Sequence, residues 1–434
     1  MKKAGLFVVF LVFLTLFSFS VSAAVINVPV DYSTIQGAID AAIAGDTINV
    51  ASGTYNENQV IINKPLTIIG AGIDNSIIDG GGVELSSTGL VRIISDGAVS
   101  LSGFTIRNAG GPTVSGGDWG DDKLNVGIYT QSEDSNAIYT IENNKILGTN
   151  NADDYQDYGI YTNSGKEKLI FRNNIILNTG ANPILIERHT GETDISYNTL
   201  DVGVWGSTSI FYMTYAETNI NKIQKVSHNK IDMSSGGVYD ADHGCSAISF
   251  SGSYRNTAAE NLGNGRYTNI EITDNNIINL QSYRRGIALA NMDPVGADGE
   301  IAFPRILRNI ISGVSTTQTM GIRLAGLVAD ADIQNNKISN VGAGFLGQDS
   351  SVFADGASDY PKRTHINYND IIPGTLGVDW SGSDLLDAKN NYWGACNPDF
   401  ASIITGTVDY TPWVGACAET RTSSPSCILK TDKV

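Results

Sequence analysis

Between Asn229 and Asn309 the chain gathers the residue types that handle charged or sugar-like ligands. Tyr239, Asp240, Asp242, His243, Tyr254 and Arg255 come first, followed by Tyr283, Arg284, Arg285, Asp293, Asp298 and Glu300. Guanidinium groups grip carboxylates in two-point fashion, clustered carboxylates hold calcium, and aromatic faces stack on sugar C–H surfaces. His243, Arg255, Arg284 and Arg285 are therefore the candidate bases and charge-neutralising groups of a lyase-type proton abstraction beside a uronate. Tyr239, Tyr254 and Tyr283 are the candidate substrate platforms, and Asp240 and Asp242 the candidate calcium ligands. In an acidic protein the same loops can equally be solvated, with Arg284 and Arg285 pairing to nearby carboxylates.

The elements that must position these residues are written in a repeat. Eight segments read φ-x-x-Asn-x-φ, with φ apolar, and place Asn144, Asn174, Asn198, Asn229, Asn275, Asn309, Asn336 and Asn369 at equivalent points. A degraded ninth contains Asn391. The intervals are 30, 24, 31, 46, 34, 27, 33 and 22 residues, a unit that suits one coil of three short strands and three turns. The flanking apolar residues fall at inward strand positions, and Asn is expected at the bend in the left-handed conformation. Stacked asparagines can then bond one another's amides as a ladder. Gly127-Ile128-Tyr129, Gly159-Ile160-Tyr161, Gly286-Ile287-Ala288 and Gly321-Ile322-Arg323 supply a second strand of the coil, always ahead of the Asn motif. The expected fold is all-β: a single-stranded right-handed parallel β-helix of about eleven coils, a rod on the order of 50 Å long.

Such a rod needs covered ends. Ser33 and Gln36 have capping-box spacing ahead of an apolar helical face, which predicts a cap helix over 33–44. Trp393 and Trp413 fall in a closing segment, 388–415, and read as plug residues. Residues 416–434 read as a tail. Residues 1–23 read as an export signal, with Lys2 and Lys3 ahead of an apolar run and Val21-Ser22-Ala23 as cleavage site. That reading places the protein outside the cell or on its surface, with no membrane span once the signal is removed.

The chain carries 28 Lys and Arg against 45 Asp and Glu, a formal charge of −17, or 26 − 45 = −19 without the two signal lysines. A field of that sign disfavours nucleic acid. Cys245, Cys396, Cys417 and Cys427 are even in number, which after export points to disulfides, with Cys396 and Cys417 the first pairing to expect. A second acidic group, Asp118, Asp121 and Asp122 followed by Asp153, Asp154 and Asp157, offers another place for structural calcium. His189, His228 and His365 read as turn or surface residues. No serine-hydrolase elbow, phosphate loop or dinucleotide fingerprint is present.

Asp31-Tyr32-Ser33-Thr34-Ile35-Gln36, Gly53-Thr54-Tyr55 and Leu66-Thr67-Ile68-Ile69-Gly70 resemble the opening of the pectin-lyase-like superfamily, pectinesterases in particular. Asn391-Tyr392-Trp393-Gly394 and Val408-Asp409-Tyr410-Thr411-Pro412-Trp413 resemble the close of archaeal and bacterial surface proteins of that superfamily. The resemblance implies a β-helix and a polysaccharide or envelope partner, and leaves lyase, hydrolase, esterase and non-enzyme open. Pectinesterase chemistry needs two neighbouring aspartates; the matching Asp157 and Asp409 lie 409 − 157 = 252 residues apart. A polysaccharide-engaging flank, binding or lyase-type, is thus set against a non-catalytic structural or adhesive protein.

Overall fold

The computed structural model describes residues 23–430 except 112, 118–119, 149–156, 202–207, 215–218, 236–244, 254–265, 292–300, 317, 349–359, 383 and 416–427. Three long sheets of fourteen, eleven and twelve strands run along it, and every pairing within them is parallel between successive coils. One turn of chain shows the logic. Asn125–Thr130 lies in the twelve-stranded sheet, Ile138–Glu142 in the fourteen-stranded sheet and Lys145–Leu147 in the eleven-stranded sheet, before Asp157–Asn163 begins the next coil. They are called here the third, first and second sheets. The layout is that of a parallel β-helix.

The core is stacked, like on like. Ile141, Phe171, Ile195, Val226, Ile272, Ile306, Ile333 and Ile366 form one inward column of the first sheet. Ile146, Ile176, Leu200, Ile231, Ile277 and Ile311 form its counterpart in the second. β-branched side chains suit this role because their stiff χ1 fits a pleated surface that must repeat without drift. Tyr212 and Phe250 stack inside at 4.1 Å between centroids, and the Tyr212 hydroxyl meets Thr193 Oγ1 at 2.6 Å.

The asparagines form a continuous buried ladder at the corner between first and second sheets. The Asn174 Oδ1 accepts the Asn144 N–H at 3.1 Å, and the Asn174 Nδ2 donates to the Ile141 carbonyl at 2.8 Å. The pattern repeats to Asn391, which accepts the Asn369 N–H at 2.7 Å and is itself fully buried. The weak ninth motif is thus a full rung. One expectation is corrected: the left-handed residue is the one before each ladder asparagine. Asn143, Asn173, Tyr197, His228, Asp274, Arg308, Asn335, Tyr368 and Asn390 have φ between 52° and 62°. The ladder residue must aim its amide inward, so the bend falls to its outward-facing predecessor, whose type is free to vary.

That freedom has a cost at bulky residues, since the left-handed region disfavours side chains with a Cβ by about 1–2 kcal/mol. Tyr368, 57% exposed with φ 62°, holds this conformation at the surface. Tyr368→Asn is expected to raise stability by about 0.5–1 kcal/mol in urea unfolding. An unchanged or lowered midpoint would show that the corner carries no such strain.

At the first coils α1 (Ile35–Ala41) packs against the strands Val25–Val28, Thr47–Val50 and Val60–Ile62, with Ile35, Ala38 and Ile39 buried. Its N-cap is Thr34, whose Oγ1 accepts the Gly37 N–H at 3.1 Å; Ser33 is not the cap. Gln36 reaches out to the Ile61 N–H rather than back to the cap, and Glu57 Oε1 takes the Ile35 N–H at 2.7 Å. Lys64 Nζ closes the other end on the carbonyls of Ile39 and Ala42, where a cation complements the helix dipole. At the far end Trp393 packs on Phe400 of α2 (Phe400–Ile403), and Phe400 stacks on Tyr410 and meets Trp413 edge-on. Among the described residues no helix is long and apolar enough to cross a membrane.

Candidate functional site

In the third sheet the Gly-Ile-x triplets set two faces. Ile128, Ile160, Ile184, Ile210, Ile248, Ile287 and Ile322 stack inward in register. The residue after each points to the opposite face, because side chains alternate along a strand. This outward column runs Arg92, Tyr129, Tyr161, Leu185, Phe211, Ser249, Ala288, Arg323 and Leu346. Beside it, two residues on, run Asn163, Glu187, Met213, Ser251 and Ala290.

One end of this face is aromatic. Tyr129, Tyr161, Leu185 and Met213 bury one another in a second apolar cluster outside the main core, with Tyr158 and Phe211 packed against it and partly open. Arg92 lies 4.5 Å over the Tyr129 ring, Tyr129 meets Tyr161 edge-on at 5.7 Å, and Tyr158 lies 5.4 Å from Tyr161. The Tyr161 hydroxyl donates to Glu187 Oε2 at 2.5 Å and accepts from Asn163 Nδ2 at 2.8 Å. Burial pushes the Tyr161 phenol far up, and the Glu187 charge pushes the same way. Tyr161 is therefore a fixed donor, and a general base must come from elsewhere.

The other end is cationic. Arg285 and Arg323 enter this face from neighbouring strands, beside Ser246, Ser249 and Ala288. Burial, and secondarily the like charge of Arg285, brings Arg323 down to about 9. Burial pushes the Cys245 thiol up to about 11 against the opposing pull of Arg284 and Arg285, so it is a poor nucleophile.

The candidates from the sequence are placed as follows. Tyr239, Asp240, Asp242, His243, Tyr254 and Arg255 lie outside the described residues. Tyr283 is half-buried in the turn that leads into Arg285–Asn291, with φ 64°. Arg285 lies on the face, but Arg284 does not act as an open cation: it is 3% exposed, and its Nη1 donates to the carbonyls of Met233 and, at 2.7 Å, Ser235. It staples two coils together. Asp157 is buried, and its Oδ2 takes the Gly180 N–H at 2.9 Å, a loop-fixing role. Among the described residues no three His, Cys, Asp or Glu side chains are grouped to hold a metal. Cys396 is half-buried, while Cys417 and Cys427 lie outside the described residues. His228 and His365 are exposed, the former stacked on Tyr197 at 4.6 Å; His189 sits in a turn but wholly inside.

Tyr129, Tyr161, Phe211, Glu187 and Arg323 had no place among the sequence candidates. The triplets did hold the signal: the third residue of Gly127-Ile128-Tyr129, Gly159-Ile160-Tyr161 and Gly321-Ile322-Arg323 is the outward one.

No family model matches the chain, and no curated protein matches it. Solved structures with a similar course include the A-module of the mannuronan C-5 epimerase AlgE4 of Azotobacter vinelandii, 16% identical with TM-score 0.49, covering 80% of this chain and 93% of that one. The A-module of the epimerase AlgE6 of the same organism is 13% identical with TM-score 0.48, covering 89% and 95%. A family PL6 polysaccharide lyase of Pseudopedobacter saltans is 13% identical with TM-score 0.44, covering 92% and 97%. Such likeness concerns the course of the chain. The chemistry rests on this chain's own residues.

Proposed function

We propose that the outer face of the third sheet engages an extracellular acidic polysaccharide laid along the rod. The register column from Arg92 through Tyr129, Tyr161 and Phe211 to Arg323 carries this reading. Strands about 4.8 Å apart repeat a binding position up the axis, which suits a linear polymer. Tyr158 and Phe211, the partly open rings of the aromatic end, stack on sugar C–H surfaces, Asn163 and Glu187 at its edge reach hydroxyls, and the half-buried Arg285 meets carboxylates, with Arg323 buried behind it. His243 and Arg255 flank the strand Ser246–Ser253, which pairs with the strand holding Arg285, so a lyase-type base from those loops belongs to the same proposal, with Asp240 and Asp242 as calcium ligands.

One observation favours the alternative of a non-catalytic structural or adhesive envelope protein. Charges on the outer side of the first sheet compensate one another: Arg172 with Asp194 at 2.6 Å, Arg305 with Glu271 at 2.9 Å, and Lys389 with Asp409 at 2.8 Å. The readings separate in native gels cast with polyuronates or neutral glucans, with and without calcium, alongside the ultraviolet absorbance of unsaturated uronate products. Retardation by polyuronates alone is expected. Equal mobility in every gel, with no product, would leave the structural role.

A further inference from the structure

Behind the aromatic end of the face, three coils meet at a corner closed by two buried titratable groups. Glu167 is 0% and His189 2% exposed. Glu167 Oε2 accepts the Ser132 N–H at 3.0 Å, and His189 Nε2, 3.9 Å from that oxygen, donates to the Glu167 carbonyl at 2.9 Å. The room for them is made by glycine: a Cβ on Gly165 would meet Glu167 Oε2 at 2.2 Å, and one on Gly191 the Glu167 carbonyl oxygen at 2.0 Å.

The geometry favours neutrality on both. With Nε2 donating, a second proton on His189 would sit on Nδ1, which has no partner; Glu167 Oε1 has none either. Ionising either group places charge out of reach of water with one of its polar atoms unpartnered. The pair also sits at the root of the face: Asn163 is four residues before Glu167, Glu187 two before His189, and Ser164 and Arg188 between them hold left-handed turns with φ 56° and 53°.

We propose that Glu167 and His189 form a proton-operated latch, which holds the corners bearing Asn163 and Glu187 closed while both groups are neutral and loosens them when Glu167 ionises. The charged groups around it are the Lys166–Glu133 pair at 2.8 Å, the Lys168–Glu192 pair at 2.6 Å, Asp134, Asp96, Glu187 and Arg188, with Tyr129 and Tyr139 facing it from neighbouring strands. Burial pushes Glu167 up to about 7, against the pull of the Glu167, Ser132 and Lys166 amides. Burial brings His189 down to about 4.

The signs are opposite. Glu167 binds its proton more tightly folded than unfolded, so its contribution is full below its ordinary pKa of 4.5 and is lost as pH rises toward about 7. His189 contributes fully above its ordinary 6.5 and loses this as pH falls toward about 4. The two slopes offset one another in mildly acid solution, and above neutrality the ionised Glu167 alone acts on the corner.

Amide hydrogen exchange, corrected for intrinsic rates, tests the latch at about pH 6 and about pH 8.5. The Lys166 and Thr190 amides, which bond Ser132 and Gly165 carbonyls, are expected to lose protection on the order of tenfold at the higher pH in the wild type and to keep it in Glu167→Gln. Constant protection in the wild type, or the same loss in the variant, would overturn the latch. Should the variant not fold, the infrared carbonyl band of a protonated carboxyl decides in Asp201→Asn, which removes a second carboxyl that burial raises, to about 6: the band must be present at the lower pH and gone at the higher. No polysaccharide enters this test, so its failure leaves the binding proposal standing.

Discussion

Asn229→Ala is expected to lower stability by about 3–5 kcal/mol and to be among the most damaging single substitutions in the rod. Asn229 is 1% exposed and sits mid-ladder. Its Oδ1 accepts the Asn198 N–H at 2.9 Å and the Asn198 Nδ2 at 3.0 Å, while its Nδ2 donates to the Ile195 carbonyl at 2.9 Å and to Asn275 Oδ1 at 3.0 Å. Truncation strands the Asn198 N–H and the Ile195 carbonyl in a site closed to water, at about 1–3 kcal/mol for each group, and adds a small cavity. Urea unfolding measures the loss. A second truncation at Asn275 is expected to cost less than the first, because the bonds it removes were shared, so the double variant should fall short of additivity. A loss under about 1 kcal/mol would mean that apolar stacking alone sets the corner.

The ladder was the part most legible in the sequence, since its asparagines face inward and tolerate no substitute that leaves the neighbouring amides unpaired. The left-handed bend was misplaced by one residue for the complementary reason: its side chain faces water, so Tyr197, His228, Asp274 and Arg308 occupy it with no common type. The face of the third sheet was hidden by a break in alternation. Gly127 and Ile128 both turn toward the core, as the 2.7 Å approach of a Gly127 Cβ to Ile146 shows, so counting by twos through the triplet misassigns Tyr129. Arg284 and Arg285 looked equivalent, but one strand position separates a carbonyl-bound staple from a residue on the face. Glu167 and His189 meet only because 22 residues make one coil there, a register that residue types alone do not reveal.

Arg285→Gln should weaken polyuronate binding by about 1.5–3 kcal/mol, the range of a charge-assisted hydrogen bond, or on the order of 10- to 100-fold in Kd. The loss arises where the guanidinium meets a carboxylate on a face sheltered from water, where its charge is weakly screened. Arg305 supplies the contrast: it carries the same charge on the first sheet, exposed and paired with Glu271, and its loss should alter binding little.

Binding on the outer face of the third sheet is decided by polyuronate affinity for wild type, Arg285→Gln and Arg305→Gln, each first shown to unfold at a comparable urea midpoint. A loss on the order of 10-fold or more confined to Arg285→Gln is the predicted result. Equal affinities for all three, or a loss confined to Arg305→Gln, would contradict it.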